Sequence, residues 1–133
     1  MAGSSNTAVK SAASNFGEDK IVWTWVADDA NGSVPNAQTS EVVTGYVMLG
    51  VTNPGATAPT DNYDITVLDE DGVDVFGGEL TNRDTANSEQ ATPLVGSAYG
   101  PRFVNSKLTM ALANNSVNSA TGALTVFVER SRR

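Results

Sequence analysis

In Lys20-Ile-Val-Trp-Thr-Trp-Val-Ala27 the apolar side chains recur at every second position, with Ile21, Trp23 and Trp25 on one face and Val22, Thr24 and Val26 on the other. A period of two places successive side chains on opposite sides of a strand, whereas a helix repeats every 3.6 residues. The pattern returns along the chain. From Val42 to Thr52, Val43, Val47, Leu49 and Val51 share one face and Val42, Tyr46 and Met48 the other, so this strand reads as buried on both sides. Tyr63, Ile65 and Val67 open another, and Val73 and Val75 continue its alternation until Gly77-Gly78 ends it. Two late strands follow, at 107–113 with Leu108, Met110 and Leu112 inward, and at 123–129 with Leu124, Val126 and Val128 inward.

Turn formers separate these runs. Asp28-Asp29-Ala30-Asn31-Gly32 and the Pro- and Gly-bearing stretch 53–60 are loops, because Pro removes a ladder donor and Gly admits positive φ. Residues 114–122 read as a long hairpin loop between the two late strands. Residues 81–92 carry no apolar stripe at either period and read as a long polar loop or a single helical turn. About six to eight short strands without a convincing helix predict an all-β fold, a single antiparallel β-sandwich or barrel. A chain of 133 residues suits one such domain, assigned here to residues 17–133 with a short basic C-terminal tail. Residues 1–16 are mostly Ala, Ser, Gly and Asn, with Val9 and Phe16 their sizeable apolar groups. They offer little burial to offset ordering entropy and read as a flexible polar arm.

The residue inventory narrows the chemistry. No cysteine or histidine is present, which removes thiolate catalysis, disulfides, sulfur-built zinc sites, the commonest general base and the commonest transition-metal ligand. Ser and Thr are plentiful, yet no base stands ready to activate one. The expectation is therefore a protein that is not an enzyme and uses no cofactor. The opening segment has neither a basic n-region followed by an apolar h-region nor a run able to cross a bilayer, so neither a signal peptide nor a membrane partner is expected.

Charge is unevenly placed. The net charge is -7, and between Glu18 and Glu89 there are 14 acidic residues against Lys20 and Arg83. From Pro101 onward Glu129 faces Arg102, Lys107, Arg130, Arg132 and Arg133. Such a dipole can orient like subunits, and the acidic total argues against nucleic acid as the main partner. Only 17% of residues are charged, below the ordinary ~25%, and small uncharged polar residues suit a surface that packs closely against neighbours.

Tyr63 to Gly78 concentrates Asp69, Glu70, Asp71 and Asp74. Asp71-Gly72 is a hairpin signal, since both residues tolerate positive φ, and a turn accounts for the cluster without a ligand. A calcium site over Asp69, Asp71 and Asp74 is the alternative, but the spacing lacks the pattern and the later bidentate Glu of a helix-loop-helix site. No metal ligand is assigned. Trp23 and Trp25 read as core or interface anchors, with sugar stacking as the other option. Val9, Phe16, Trp23, Trp25, Arg102, Arg130, Arg132 and Arg133 are the interface candidates.

The segment from Pro59 to Gly78, followed by Asn82-Arg-Asp-Thr-Ala-Asn-Ser-Glu-Gln90, Tyr99-Gly-Pro-Arg-Phe-Val104 and Asn114-Asn-Ser-Val-Asn-Ser-Ala-Thr-Gly122, resembles small virion structural proteins of tailed bacteriophages. These stretches span most of residues 59–128, and they carry over no functional residue. With the length and strand content, the chain is similar to head decoration, or cement, proteins. That resemblance implies a non-enzymatic structural role on the capsid surface of a virion assembled in the host cytoplasm. It also implies the major capsid protein as partner and a homo-oligomer, with a trimer favoured. A tail or head-tail connector ring and a carbohydrate-binding module of the particle are the alternatives.

Overall fold

A computed structural model describes residues 3–12 and 17–130 of the chain. Its strands run in the order β1 (Ser5–Ala12), β2 (Glu18–Val26), β3 (Ala37–Gln38), β4 (Val43–Pro54), β5 (Asp64–Leu68), β6 (Glu89–Ala91), β7 (Leu94–Val95), β8 (Ala98–Tyr99), β9 (Arg102–Ser106), β10 (Thr109–Ala113) and β11 (Thr121–Glu129). No helix occurs among the described residues, and the fold is the all-β, antiparallel one that the alternation predicts. The larger sheet has the order β1-β2-β11-β4-β6, with β9 also pairing β4. A smaller sheet, β3-β10-β5, closes over it, and β7 and β8 form a short hairpin.

The core lies between the sheets. Ile21, Trp23 and Trp25 from β2 and Leu124, Val126 and Val128 from β11 face Ile65 and Val67 from β5 and Met110 from β10, and all are fully buried. Burying large side chains of this kind stabilises a fold by roughly 1.5–3 kcal/mol each relative to leaving them exposed. Two glycines make room for rings: a Cβ at Gly122 would sit 2.4 Å from the Trp25 indole, and one at Gly50 would sit 2.9 Å from the Phe76 ring. Any larger residue at either position would have to displace an aromatic from the core.

Four sequence expectations change. Ser5–Ala12, read as a flexible arm, is a full strand paired over its whole length with β2, from Ser5 opposite Val26 to Ala12 opposite Asp19. Ladder hydrogen bonds hold it, with Ala8 against the core and the Asn6 amide donating to the Pro35 carbonyl at 3.0 Å. A tally of apolar burial alone does not see this.

Nor is β4 buried on both sides. Its register against β11 shifts between Phe127 and Val128, leaving Met48 as an extra, bulged residue. A bulge inverts the alternation beyond it. Val43 and Val47 therefore point inward before the bulge and Gly50 and Thr52 after it, while Leu49 and Val51 lie half-buried on the opposite side.

Residues 114–120 do not close a hairpin, because β10 belongs to the smaller sheet and β11 to the larger. The alternation after Gly72 also fails as a strand: it makes one bridge, Leu68 to Asp74, with Val73 exposed before it and Val75 buried in the turns after it. The stretch at 81–92 is irregular apart from β6 and a bridge from Arg83 to Tyr63.

Candidate interaction face

The carboxylates that the sequence gathers at Asp69–Asp74 act on backbone. Asp69 Oδ1 accepts the N–H groups of Asp71 and Val73 at 2.9 and 3.0 Å, and its Oδ2 meets an Arg102 guanidinium nitrogen at 3.0 Å. The Val73 N–H is the largest influence holding this carboxyl below its ordinary value of 3.8; the Asp71 N–H and Arg102 add to it and burial opposes it. Asp74 Oδ1 accepts from Val67 and Phe76, both at 3.1 Å, and its Oδ2 accepts from Gly78 at 2.8 Å. Glu70 accepts from the Lys107 N–H at 3.0 Å, tying the turn to the start of β10.

The same device recurs in the neighbouring loops. Asp84 accepts the N–H groups of Ala86 and Asn87, which hold its carboxyl low, and Asp61 accepts that of Thr85. Asp64 accepts from the Asn82 N–H and the Asn114 amide. A carboxylate turned toward backbone donors replaces the ladder that a loop lacks. A cation at Asp69 and Asp74 would have to compete with five backbone N–H donors, and among the described residues no group of three or more carboxylates converges as a metal site.

The interface candidates separate. Trp23 and Trp25 are wholly inside the core; Trp23 donates its indole N–H to the Ala37 carbonyl at 3.0 Å, and Trp25 packs against Tyr63 with ring centroids 6.0 Å apart. The pair is core, as one of the sequence readings had it, and neither ring presents a surface to a sugar or a partner, which corrects the interface and sugar-stacking readings. Arg102 is engaged by Asp69 and by the Phe103 carbonyl, so it organises a loop. Arg130 sits 3.5 Å from Asp19 at the end of β11, and Val9 stands on the surface, 58% exposed. Phe16, Arg132 and Arg133 lie outside the described residues.

Val9 belongs to a larger feature. On the side of the larger sheet away from the core, register aligns Val9, Val22, Thr125, Val51 and Gln90 in one row across five strands. The next row runs Ser11, Lys20, Phe127 and Leu49, and the next Glu18, Glu129, Tyr46 and Phe103. Tyr46, Met48 and Phe103 are 42%, 37% and 46% exposed, with the Tyr46 and Phe103 rings in edge contact at 5.4 Å. The charges of these rows, Lys20, Glu18 and Glu129, lie toward one end. An exposed, contiguous and largely uncharged face of this breadth is the usual mark of a protein contact.

Sequence reasoning held the signal and misread it. Val42, Tyr46 and Met48 read as the second buried face of one strand, and all three are exposed. A groove of about 310 Å³ also lies between the turn at 73–77 and the β7–β8 hairpin, lined by Val73, Val75, Leu94, Val95 and Arg102. It brings no acid, base or nucleophile together beyond Asp74, whose oxygens are engaged by backbone. Set against known protein families, curated proteins and solved structures, the chain matches none of them.

Proposed function

We propose that this protein is a non-enzymatic structural protein that adheres to other proteins through the outer face of its larger sheet. The observation that carries the reading is the uncharged row from Val9 through Val22, Thr125 and Val51, flanked by Met48, Tyr46 and Phe103. Taken with the resemblance to virion proteins, the partner is the major capsid protein and the role is that of a head decoration protein on the capsid exterior. Apolar contact over such a face supports attachment to a repeating lattice, where many modest contacts act together.

Co-sedimentation of the purified protein with expanded, empty capsids of the phage that encodes it tests the reading. Binding is expected, and it should be lost when Met48→Lys and Phe103→Lys are combined. Mass spectrometry of purified particles gives the second check. A copy number comparable with that of the capsid subunit supports decoration, a handful of copies points instead to a connector or tail ring, and absence from the particle ends the proposal.

A further inference from the structure

We propose that two copies of this chain join edge to edge through β1, forming one continuous sheet across a two-fold axis at Val9. β1 is the long open edge among the described residues. It spans eight residues without a proline or a bulge, and among the described residues no backbone hydrogen bond ties it to anything but β2; the neighbouring segment 35–41 meets it through side chains, Asn6 to the Pro35 carbonyl and Lys10 to Glu41. Every second residue of such an edge turns an N–H and a C=O toward solvent, which is a template for another strand. The other edges are shorter or occupied. β9 has five residues, with the Phe103 carbonyl taken by the Arg102 guanidinium. β6 has three residues and begins with Glu89, β3 has two, and β5 is capped where Ile65 donates to the Leu80 carbonyl and Val67 accepts from Val75.

Charge selects a second copy as the occupant. In a chain of net charge -7, Ser5–Ala12 contains no acidic residue, so two such edges approach without opposed carboxylates. Its one cation, Lys10, is matched within its own chain by Asp19 at 4.0 Å and Glu41 at 3.6 Å. The sequence is also self-complementary in one antiparallel register. With Val9 opposite Val9 of the second copy, Thr7 meets Ser11 and Ala8 meets Lys10, so no like charges face each other. This register keeps both outer faces on the same side. The row Val51, Thr125, Val22, Val9 then runs through the axis into its symmetry mate, and the exposed Val9 pair is covered.

This contact is isologous and closes at two copies, unlike the trimer the resemblance implies. It does not rest on capsid attachment, since a monomer can still adhere by its face. Light scattering after size exclusion, with sedimentation equilibrium from micromolar to millimolar protein, should give twice the chain mass. Val9→Lys and Val9→Glu each place like charges across the axis and should each give monomers with unchanged circular dichroism. Mixing the two variants at low salt should restore the double mass, a result that only the Val9-to-Val9 register yields. Val95→Lys, on exposed β7, is the control and should remain dimeric. A monomeric or trimeric wild type, a dimer indifferent to Val9→Lys, or a gain of mass only when an extended peptide is supplied would overturn the proposal.

Discussion

The acidic loops and the outer sheet face use their side chains in opposite ways. In the loops nearly every carboxylate is answered within the chain: Asp69, Asp74, Asp84 and Asp64 each accept backbone N–H groups. On the face Val9, Met48, Tyr46 and Phe103 stand open. One region is chemically closed and carries stability, while the other is open and carries little. Density of charge here marks where the chain is tied to itself, and its absence marks the surface left open.

The contrast can be broken by substitution, beginning with Asp74. Asp74→Ala strands the N–H groups of Val67, Phe76 and Gly78, and should cost about 2 to 3 kcal/mol in urea unfolding. Capsid binding by the folded fraction should be unaffected. If binding fell while stability held, the division of labour would be wrong.

A smaller loss, about 1 kcal/mol at neutral pH, is expected for Asp69→Asn. The acid limb sharpens the test. Because the folded carboxyl lies below its ordinary 3.8, the unfolded chain takes up the proton first as pH falls. The stability that Asp69 contributes is complete above that value and is lost as pH drops through it toward the folded pKa. The Asn variant should show a shallower acid limb when unfolding midpoints are followed downward in pH.

Tyr63 gives a third test at the opposite end of the scale. Its hydroxyl is buried without a hydrogen-bond partner, since the Thr52 hydroxyl beside it falls outside bonding geometry, and burial pushes its pKa up from 10.0 to about 12. The folded value exceeds the unfolded one, so this group's contribution is intact below pH 10.0 and fades as pH rises toward 12. Tyr63→Phe should leave neutral stability within about 1 kcal/mol and reduce the alkaline loss measured by thermal melts.

The least effect on stability belongs to the face. Met48→Lys adds charge at an exposed bulge and should change the unfolding free energy by no more than about 0.5 kcal/mol. A large destabilisation would mean that the face supports the fold after all.

The sequence announces the strands because alternation is a local property. Ile21, Trp23 and Trp25, like Leu124, Val126 and Val128, point where their period says, and all six are buried. What alternation omits is which side will be covered. Val22 and Tyr46 are as apolar as many core residues, and only the position of the smaller sheet leaves them outside. The bulge at Met48 carries no marker residue, and β1 is held by ladder bonds that composition does not reveal. Asp71-Gly72 is a legible turn, with the Gly72 N–H donating to the Asp69 carbonyl at 3.0 Å. The reach of Asp74 back to Val67 depends on how the turn folds over.

The route of the chain has its own consequence for biosynthesis. From β2 to β6, consecutive strands alternate between the two sheets, and β9, β10 and β11 do so again. The last of them inserts in the middle of the larger sheet, between β2 and β4. A nascent polypeptide still lacking Thr121–Glu129 would hold those two strands apart with a gap between them and no stable half to rest in. Closure of the larger sheet must therefore wait for β11, and it proceeds at the slow pace, milliseconds to seconds, of folds built from distant pairings.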